Sequence, residues 1–305
     1  WIGSARLDGA VSEEQSISFR TPKTYDGLLE AVVNGLGEIT GKATTDLGER
    51  FRGLGLSVPG LFNSRVGETV ISPNLHLLDG QRFASDLSIE TGLKCIALQE
   101  SHALCVGERM YGAARGMNDF AMLDVSTGLG LGIVSGGHLL TGNSGMAGEL
   151  GHITVVPDGL RCGCGNHGCL ETVATDTAFA RLISKELGRK VGVQEALAAL
   201  AESGSEEVVA QTIDYLAIAV SAVINIFNPA TLFLHGQLMN SDPAFFKGVM
   251  KQVKKRTLSP SFKDCRILQS HGNKRLGAVA GIIDHLANEL APAFATIDKG
   301  NAELS

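Results

Sequence analysis

Between residues 148 and 171 the chain reads GELGHITVVPDGLRCGCGNHGCLE, a stretch dense in residues that can hold a cation. Cys162, Cys164 and Cys169 fall within eight residues, and the glycines between them let the backbone fold tightly around one point. His152 lies ten residues before Cys162, across a Pro157-Asp158-Gly159 sequence that turns the chain back on itself. Three thiolates and one imidazole make a closed tetrahedral set, which suits a structural Zn²⁺; a catalytic zinc keeps one position open for water. A disulfide is the poorer account, because a Cys162–Cys164 bridge would be strained and a Cys164–Cys169 bridge leaves a thiol unmatched. His167 competes as fourth ligand, but its place inside the tight loop points it toward solvent. Cys95, Cys105 and Cys265 lie in apolar strand or helix contexts and read as ordinary core thiols.

A second chemical feature is the turn Ser126-Thr127-Gly128-Leu129-Gly130. Its glycines let backbone N–H groups approach a phosphate, although a glycine-rich turn by itself is weak support for a nucleotide site.

The elements that must position these residues follow from periodicity. Ile2 to Phe19 alternates weakly around an Asp8-Gly9 turn, as a β-hairpin would. Apolar residues at 28, 29, 32, 33, 36 and 39 predict a helix, Leu54–Val58 a buried strand, and Ser85–Gly92 a helix closed by glycine. A strand at Cys95–Leu98 and a helix from about His102 to Tyr111 follow. The pattern restarts after Gly116 with strands at Phe120–Asp124 and Gly130–Val134, a long helix at Val208–Phe227, a strand at Leu232–His235 and a last helix at Leu276–Leu290. Strands alternating with helices argue for an α/β protein, and the restart argues for two domains, 1–115 and 116–305.

The 305 residues suffice for a large buried core, and with 44% hydrophobic and 19% charged residues the chain has the composition of a globular protein. Lys and Arg number 26 against 32 Asp and Glu, a net charge of −6, which disfavours gripping a phosphate backbone unaided. No uninterrupted apolar run approaches the roughly 18 residues of a membrane span. The first residue is Trp1, no secretory leader is visible, and three packed thiols beside three metal-type thiols fit a reducing cytoplasm.

From Leu123 to Thr172 the sequence resembles the ROK family of repressors, open reading frames and sugar kinases. The matching pieces are Thr127-Gly128-Leu129-Gly130-Leu131-Gly132, Gly148-Glu149-Leu150-Gly151-His152 and Gly168-Cys169-Leu170-Glu171. Val58-Pro59-Gly60, Ser72-Pro73-Asn74-Leu75, Asn228-Pro229 and Gly277-Ala278-Val279-Ala280-Gly281 extend the resemblance over nearly the full chain. It implies an actin-like ATPase (ribonuclease H-like) fold, with two α/β domains around a sugar-binding cleft and the last helix, about 276–290, returning to the first domain.

The resemblance also implies a hexose or amino-hexose ligand held by Asn74, Glu149, His152 and Glu171. A polyol is read by a few fixed carboxylates, amides and imidazoles, and polar partners left unpaired in a closed cleft discriminate between hydroxyl patterns. His152 would serve twice, one ring nitrogen on zinc and the other on the sugar. Taken singly, Asn74 also reads as a turn residue and Glu171 as a helix N-terminal carboxylate.

A sugar kinase of this family needs an Asp base in an Asn-Asp dipeptide after a strand, and the matching stretch here, Leu98-Gln99-Glu100-Ser101-His102, puts Glu100 there. The extra methylene moves the carboxylate by about an ångström, a misplacement that can cost around 10²-fold in rate, and a surface Glu at a helix start fits equally well. An Asp-x-Gly-Gly-Thr phosphate hairpin is absent ahead of Trp1, so the first domain is expected to lack its first strand. His235-Gly236-Gln237-Leu238 stands where kinases carry a run of glycines. The cysteine loop and Asn225-Ile226-Phe227-Asn228-Pro229 look closer to the regulator branch. The expectation is therefore the sugar-sensing effector domain of a dimeric ROK-type transcriptional regulator, contacting DNA only through a helix-turn-helix module ahead of these residues. The alternative is an ATP-dependent hexose kinase using Glu100, with Mg-ATP at Thr127, Gly128 and Gly130; a third is a zinc-stabilised sugar-binding or scaffolding protein. Neither a membrane nor direct DNA contact is expected of this stretch.

Overall fold

The computed structural model describes residues 1–41, 47, 51–198 and 205–298, and the chain divides into two compact units, Trp1–Arg115 with Asn273–Ser305, and Gly116–Gly272. The first unit opens with β1 (Ile2–Ala5) and β2 (Val11–Ile17), an antiparallel pair with Ile2 opposite Ile17. Its reversal needs Gly9 at φ 88°, and the Ala10 N–H donates to the Asp8 carboxylate at 3.0 Å. Helix α1 (Tyr25–Thr40) starts on Thr24, whose hydroxyl accepts the Gly27 N–H, and stops at Gly41 in the left-handed conformation. Its buried stripe, Leu28, Val32 and Leu36, follows the helical period seen in the sequence.

After α1, β3 (Leu54–Val58) leads into a hairpin of β4 (Leu61–Asn63) and β5 (Glu68–Ile71), then α2 (Phe83–Thr91) and β6 (Cys95–Gln99). β3 and β6 pair in parallel from Leu54 opposite Cys95 to Val58 opposite Gln99. Helix α3 (Glu100–Tyr111) follows β6 without a connecting residue, which puts Glu100 at a strand-to-helix junction. The C-terminal helix, Lys274–Asp298, crosses α3 and β3 at glycine contacts. A Cβ on Gly277 would sit 2.1 Å from the Ala103 carbonyl oxygen, and one on Gly55 2.0 Å from that of Ala278. These two close approaches fix where the helix begins, and so where Lys274 stands.

The second unit is built on β7 (Phe120–Asp124), β8 (Gly130–Ser135) and β9 (His138–Leu139), followed by α4 (Asp176–Glu186), α5 (Val193–Ala198) and α6 (Glu206–Phe227). Then come β10 (Thr231–His235), α7 (Gln237–Ser241), α8 (Pro243–Arg256), α9 (Ser259–Asp264) and β11 (Arg266–Ser270). The sheet order is β11-β10-β7-β8-β9, with β11, β10 and β7 parallel and the last two strands antiparallel. All five residues of β7 are buried, as a central strand covered on both faces requires. By length and composition α6 is apolar enough to cross a membrane; here Leu216, Val220, Val223 and Ile224 are core residues of the unit, and α6 packs along α8. It ends on Asn228, at φ 44° the one non-glycine in the left-handed region among the described residues, followed by Pro229. Periodicity located both units' main strands but missed the β4–β5 hairpin, β9, β11 and helices α4, α5, α7, α8 and α9. The hairpin strands are three and four residues long, too short to show a period.

Candidate metal centre and ligand site

The cysteine loop is held by backbone pairing of its two arms. Val155 N–H donates to the Gly168 carbonyl at 2.9 Å and Leu170 N–H to that of Ile153 at 2.9 Å, which lays His152 beside Cys169. The Pro157-Asp158-Gly159 turn closes with a Gly159 N–H to Val156 carbonyl bond of 2.8 Å. Within the loop, the Cys162 carbonyl accepts the Gly165 N–H at 3.0 Å, and Gly165 and Gly168 take φ of 97° and 67°. A Cβ on Gly168 would lie 1.5 Å from the Val156 carbonyl oxygen, so this position admits glycine alone.

His152, Cys162, Cys164 and Cys169 thereby bring one ligand atom each within 4.8 Å of one another. The Cys164–Cys169 sulfur separation is 3.7 Å, and Cys162 Sγ is 3.6 Å from His152 Nδ1. Tetrahedral bonds of about 2.3 Å to sulfur and about 2.05 Å to nitrogen require edges of about 3.8 Å for S···S and about 3.6 Å for N···S. The donor set therefore fits a tetrahedral cation, and His167 is exposed and outside it. Burial pushes the Cys162 thiol up to about 12 and raises Cys169 as well. Without a cation these sulfurs are held protonated, and a bound cation is what would ionise them. Of the other thiols, Cys105 and Cys265 are buried and Cys95 is half-buried.

Three of the four expected ligand-binding side chains, Glu149, His152 and Glu171, lie beside this centre. His152 turns Nδ1 to the sulfurs and Nε2 toward Glu149, whose Oε2 is 3.5 Å away, and both side chains are about a quarter exposed. Glu171 directs Oε1 toward Cys162 Sγ at 3.8 Å, while its Oε2 accepts the Leu129 N–H at 3.0 Å. Glu149, His152 and Glu171 all belong to the second unit, whereas Asn74 is an exposed turn residue of the first, next to a Leu75 N–H to Ser72 carbonyl bond of 3.0 Å.

The glycine turn joins β7 to β8. Its Ser126 N–H donates to Asp124 Oδ1 at 3.1 Å, and its Thr127 carbonyl accepts the Thr177 hydroxyl at 2.7 Å. At the adjoining strand end, His235 places Nδ1 2.9 Å from Asp124 Oδ1 and Nε2 3.1 Å from the Gly272 carbonyl. Asp176 accepts the N–H groups of Gln237 at 2.7 Å and Leu238 at 2.9 Å. The residues standing in place of a glycine run are thus tied into a part-buried polar network.

Glu100 heads α3 with its side chain about a third exposed, and Lys274 Nζ lies 2.9 Å from its Oε2. Sequence reasoning missed Lys274, as it missed Thr177 and Asp176. Lys274 and Glu100 are 174 positions apart, and no spacing rule joins them.

A parallel-cored α/β unit bearing a Cys₃His loop and clustered carboxylates defines a member of the actin-like sugar-kinase fold, and comparison with solved structures agrees. A ROK family transcriptional regulator, homologous to the E. coli MLC protein, superposes with a TM-score of 0.76 at 25% identity, covering 92% of this chain and 73% of the other. The chain belongs to the ROK family, matching it over residues 2–284. It is 30% identical over 239 residues to the xylose repressor of Bacillus spizizenii, covering 76% of this chain and 61% of the repressor. It is also 30% identical over 275 residues to the glucokinase of Thermotoga maritima, covering 83% of this chain and 85% of the kinase. The chain thus spans about three fifths of the repressor's length, and its relatives include both regulators and kinases.

Proposed function

We propose that these residues form the sugar-sensing portion of a ROK-type transcriptional regulator. The observation that carries this reading is the 2.9 Å ion pair between Lys274 and Glu100, the carboxylate that a kinase would need as base. A base must reach the proton it removes, and Glu100 would have to leave an ammonium partner to do so. The ligand is a hexose or amino-hexose, held by Glu149, His152 and Glu171, with Asn74 as the fourth contact. Zn²⁺ bound by His152, Cys162, Cys164 and Cys169 ties the two arms of the loop together and does no chemistry on the sugar. It sets the His152 tautomer, so that Nε2 faces Glu149 and the ligand. In this reading DNA is contacted through a helix-turn-helix module and not through these residues, and two copies pair to match a two-fold operator.

Calorimetric titration with glucose, xylose and N-acetylglucosamine, with and without Mg-ATP and with ADP followed in parallel, tests the reading. Binding heat without ADP release is expected; sugar-dependent ADP release at ordinary turnover would overturn it. The second reading, an ATP-dependent hexose kinase, is favoured by one specific observation, the match to 85% of the Thermotoga glucokinase's length.

A further inference from the structure

We propose that the glycine turn Ser126–Gly130 is the seat of the chain's own carboxylate, Glu171, so that Gly128 and the Leu129 N–H position a sugar-reading group instead of cradling a phosphate. The inference rests on the sugar-binding reading above and assigns the turn a part in it.

The seat is defined by contacts on both sides of the turn. The Leu129 N–H donates to Glu171 Oε2 at 3.0 Å. A Cβ at residue 128 would lie 2.6 Å from that same oxygen, so glycine is what admits the carboxylate. Beside them, the Thr177 hydroxyl donates to the Thr127 carbonyl at 2.7 Å, and the Thr175 hydroxyl sits 3.1 Å from that of Thr177 and 3.3 Å from the Glu171 carbonyl. Residues 171–177 thus hold the turn by both its carbonyl and its N–H.

The electrostatics follow from this geometry. Backbone N–H groups of a glycine turn attract one anion, and here a carboxylate already occupies the position. A phosphate brought to the Leu129 N–H would meet that like charge at contact distance, where repulsion in a half-buried site is strong. Anchoring Oε2 also fixes the remaining freedom of Glu171. Its Oε1 is left 3.8 Å from Cys162 Sγ, on the side of the metal cluster and His152. A carboxylate tethered at one oxygen offers the other in a single direction, which is what discrimination between hydroxyl patterns needs. Glu171 acts on the ligand, whereas Gly128 and Leu129 are positioning residues.

The test uses amide exchange and phosphate titration of the zinc-loaded chain followed by NMR, with Glu171→Ala, Glu171→Gln and Gly128→Ala. In Glu171→Ala the Leu129 amide should exchange at least about tenfold faster while amides of β7 are unchanged, and Glu171→Gln, which keeps an acceptor oxygen, should restore protection. Inorganic phosphate should shift the resonances of Gly128 and Leu129 in Glu171→Ala and leave them still in the wild type. Unchanged Leu129 exchange in Glu171→Ala, or phosphate binding at the turn with Glu171 intact, would overturn the proposal. Gly128→Ala should keep its metal and lose at least about tenfold in affinity for whichever of glucose, xylose or N-acetylglucosamine the wild type binds; unaltered affinity counts against it. Should none of the three sugars bind the wild type, the sugar-binding reading fails, and the exchange and phosphate measurements still decide the seat.

Discussion

Lys274 Nζ and Glu100 Oε2 stand 2.9 Å apart because the C-terminal helix begins where β6 hands over to α3. The close approach of Gly277 to the Ala103 carbonyl, which a side chain would block, brings the start of this helix against α3 and the ammonium to the carboxylate. If the pair is a fixed structural contact, Glu100→Gln should leave sugar affinity within about twofold and ADP release at background. With both side chains partly exposed, urea denaturation should register a stability loss below about 1 kcal/mol. A kinase would instead lose its turnover in this variant, which makes the same protein sample decide between the readings.

Removal of the metal should be felt locally first. The four candidate ligands fall within residues 152–169, so the cation would cross-link one short loop. Elemental analysis after gentle purification should find close to one zinc per chain. Chelation, or Cys169→Ser, should lower the melting temperature and collapse sugar binding, since His152 then loses its fixed orientation. A metal content below half an equivalent contradicts the Cys₃His assignment.

Gly168→Ala is expected to be severe. Its Cβ would fall 1.5 Å from the Val156 carbonyl oxygen, and the backbone sits at φ 67°. Relief requires separating the two arms of the loop, so the cost should exceed about 2 kcal/mol and zinc content should fall with it. Gly165→Ala is the control, because nothing lies within 4 Å of its added Cβ although its φ is also positive. It should cost about 1–2 kcal/mol and retain the metal.

The pH dependence of the second unit should carry the mark of Asp176. Burial pushes its carboxyl up to about 6 from 3.8, with the Leu238 and Gln237 N–H groups and His235 opposing and Asp124 adding to the rise. A carboxyl raised in the folded state contributes stability that is fully present below its unfolded value and is lost as pH climbs through its folded one. Between about pH 4 and 7 this single group should remove on the order of 3 kcal/mol. Asp176→Asn should flatten that part of the stability–pH curve relative to wild type. The same variant should cost about 1–2 kcal/mol at acid pH, where Asp176 is itself uncharged, because one of the two N–H groups loses its acceptor; near neutrality the absent charge should offset that cost. Parallel curves for the two proteins would contradict the assignment.

The sequence by itself determined the features whose information is local. The Cys/His cluster was legible because its four residues lie within 18 consecutive positions and glycines between them permit a tight loop. The α/β class and the principal strands were legible because a buried strand such as FAMLD and a striped helix such as α1 announce themselves over one element's length. Tertiary structure alone decided which distant groups meet. Glu171 lies 42 residues from the turn it occupies, His235 lies 111 from Asp124, and Lys274 lies 174 from Glu100. Each pair is set by which strand neighbours which and where a helix is allowed to cross, and these are properties of packing that no periodicity or spacing along the chain encodes. The physical reason is that hydrogen bonds and charges act over a few ångströms, so the chemistry of Glu100 and of the glycine turn depended on partners that only the folded chain brings within reach.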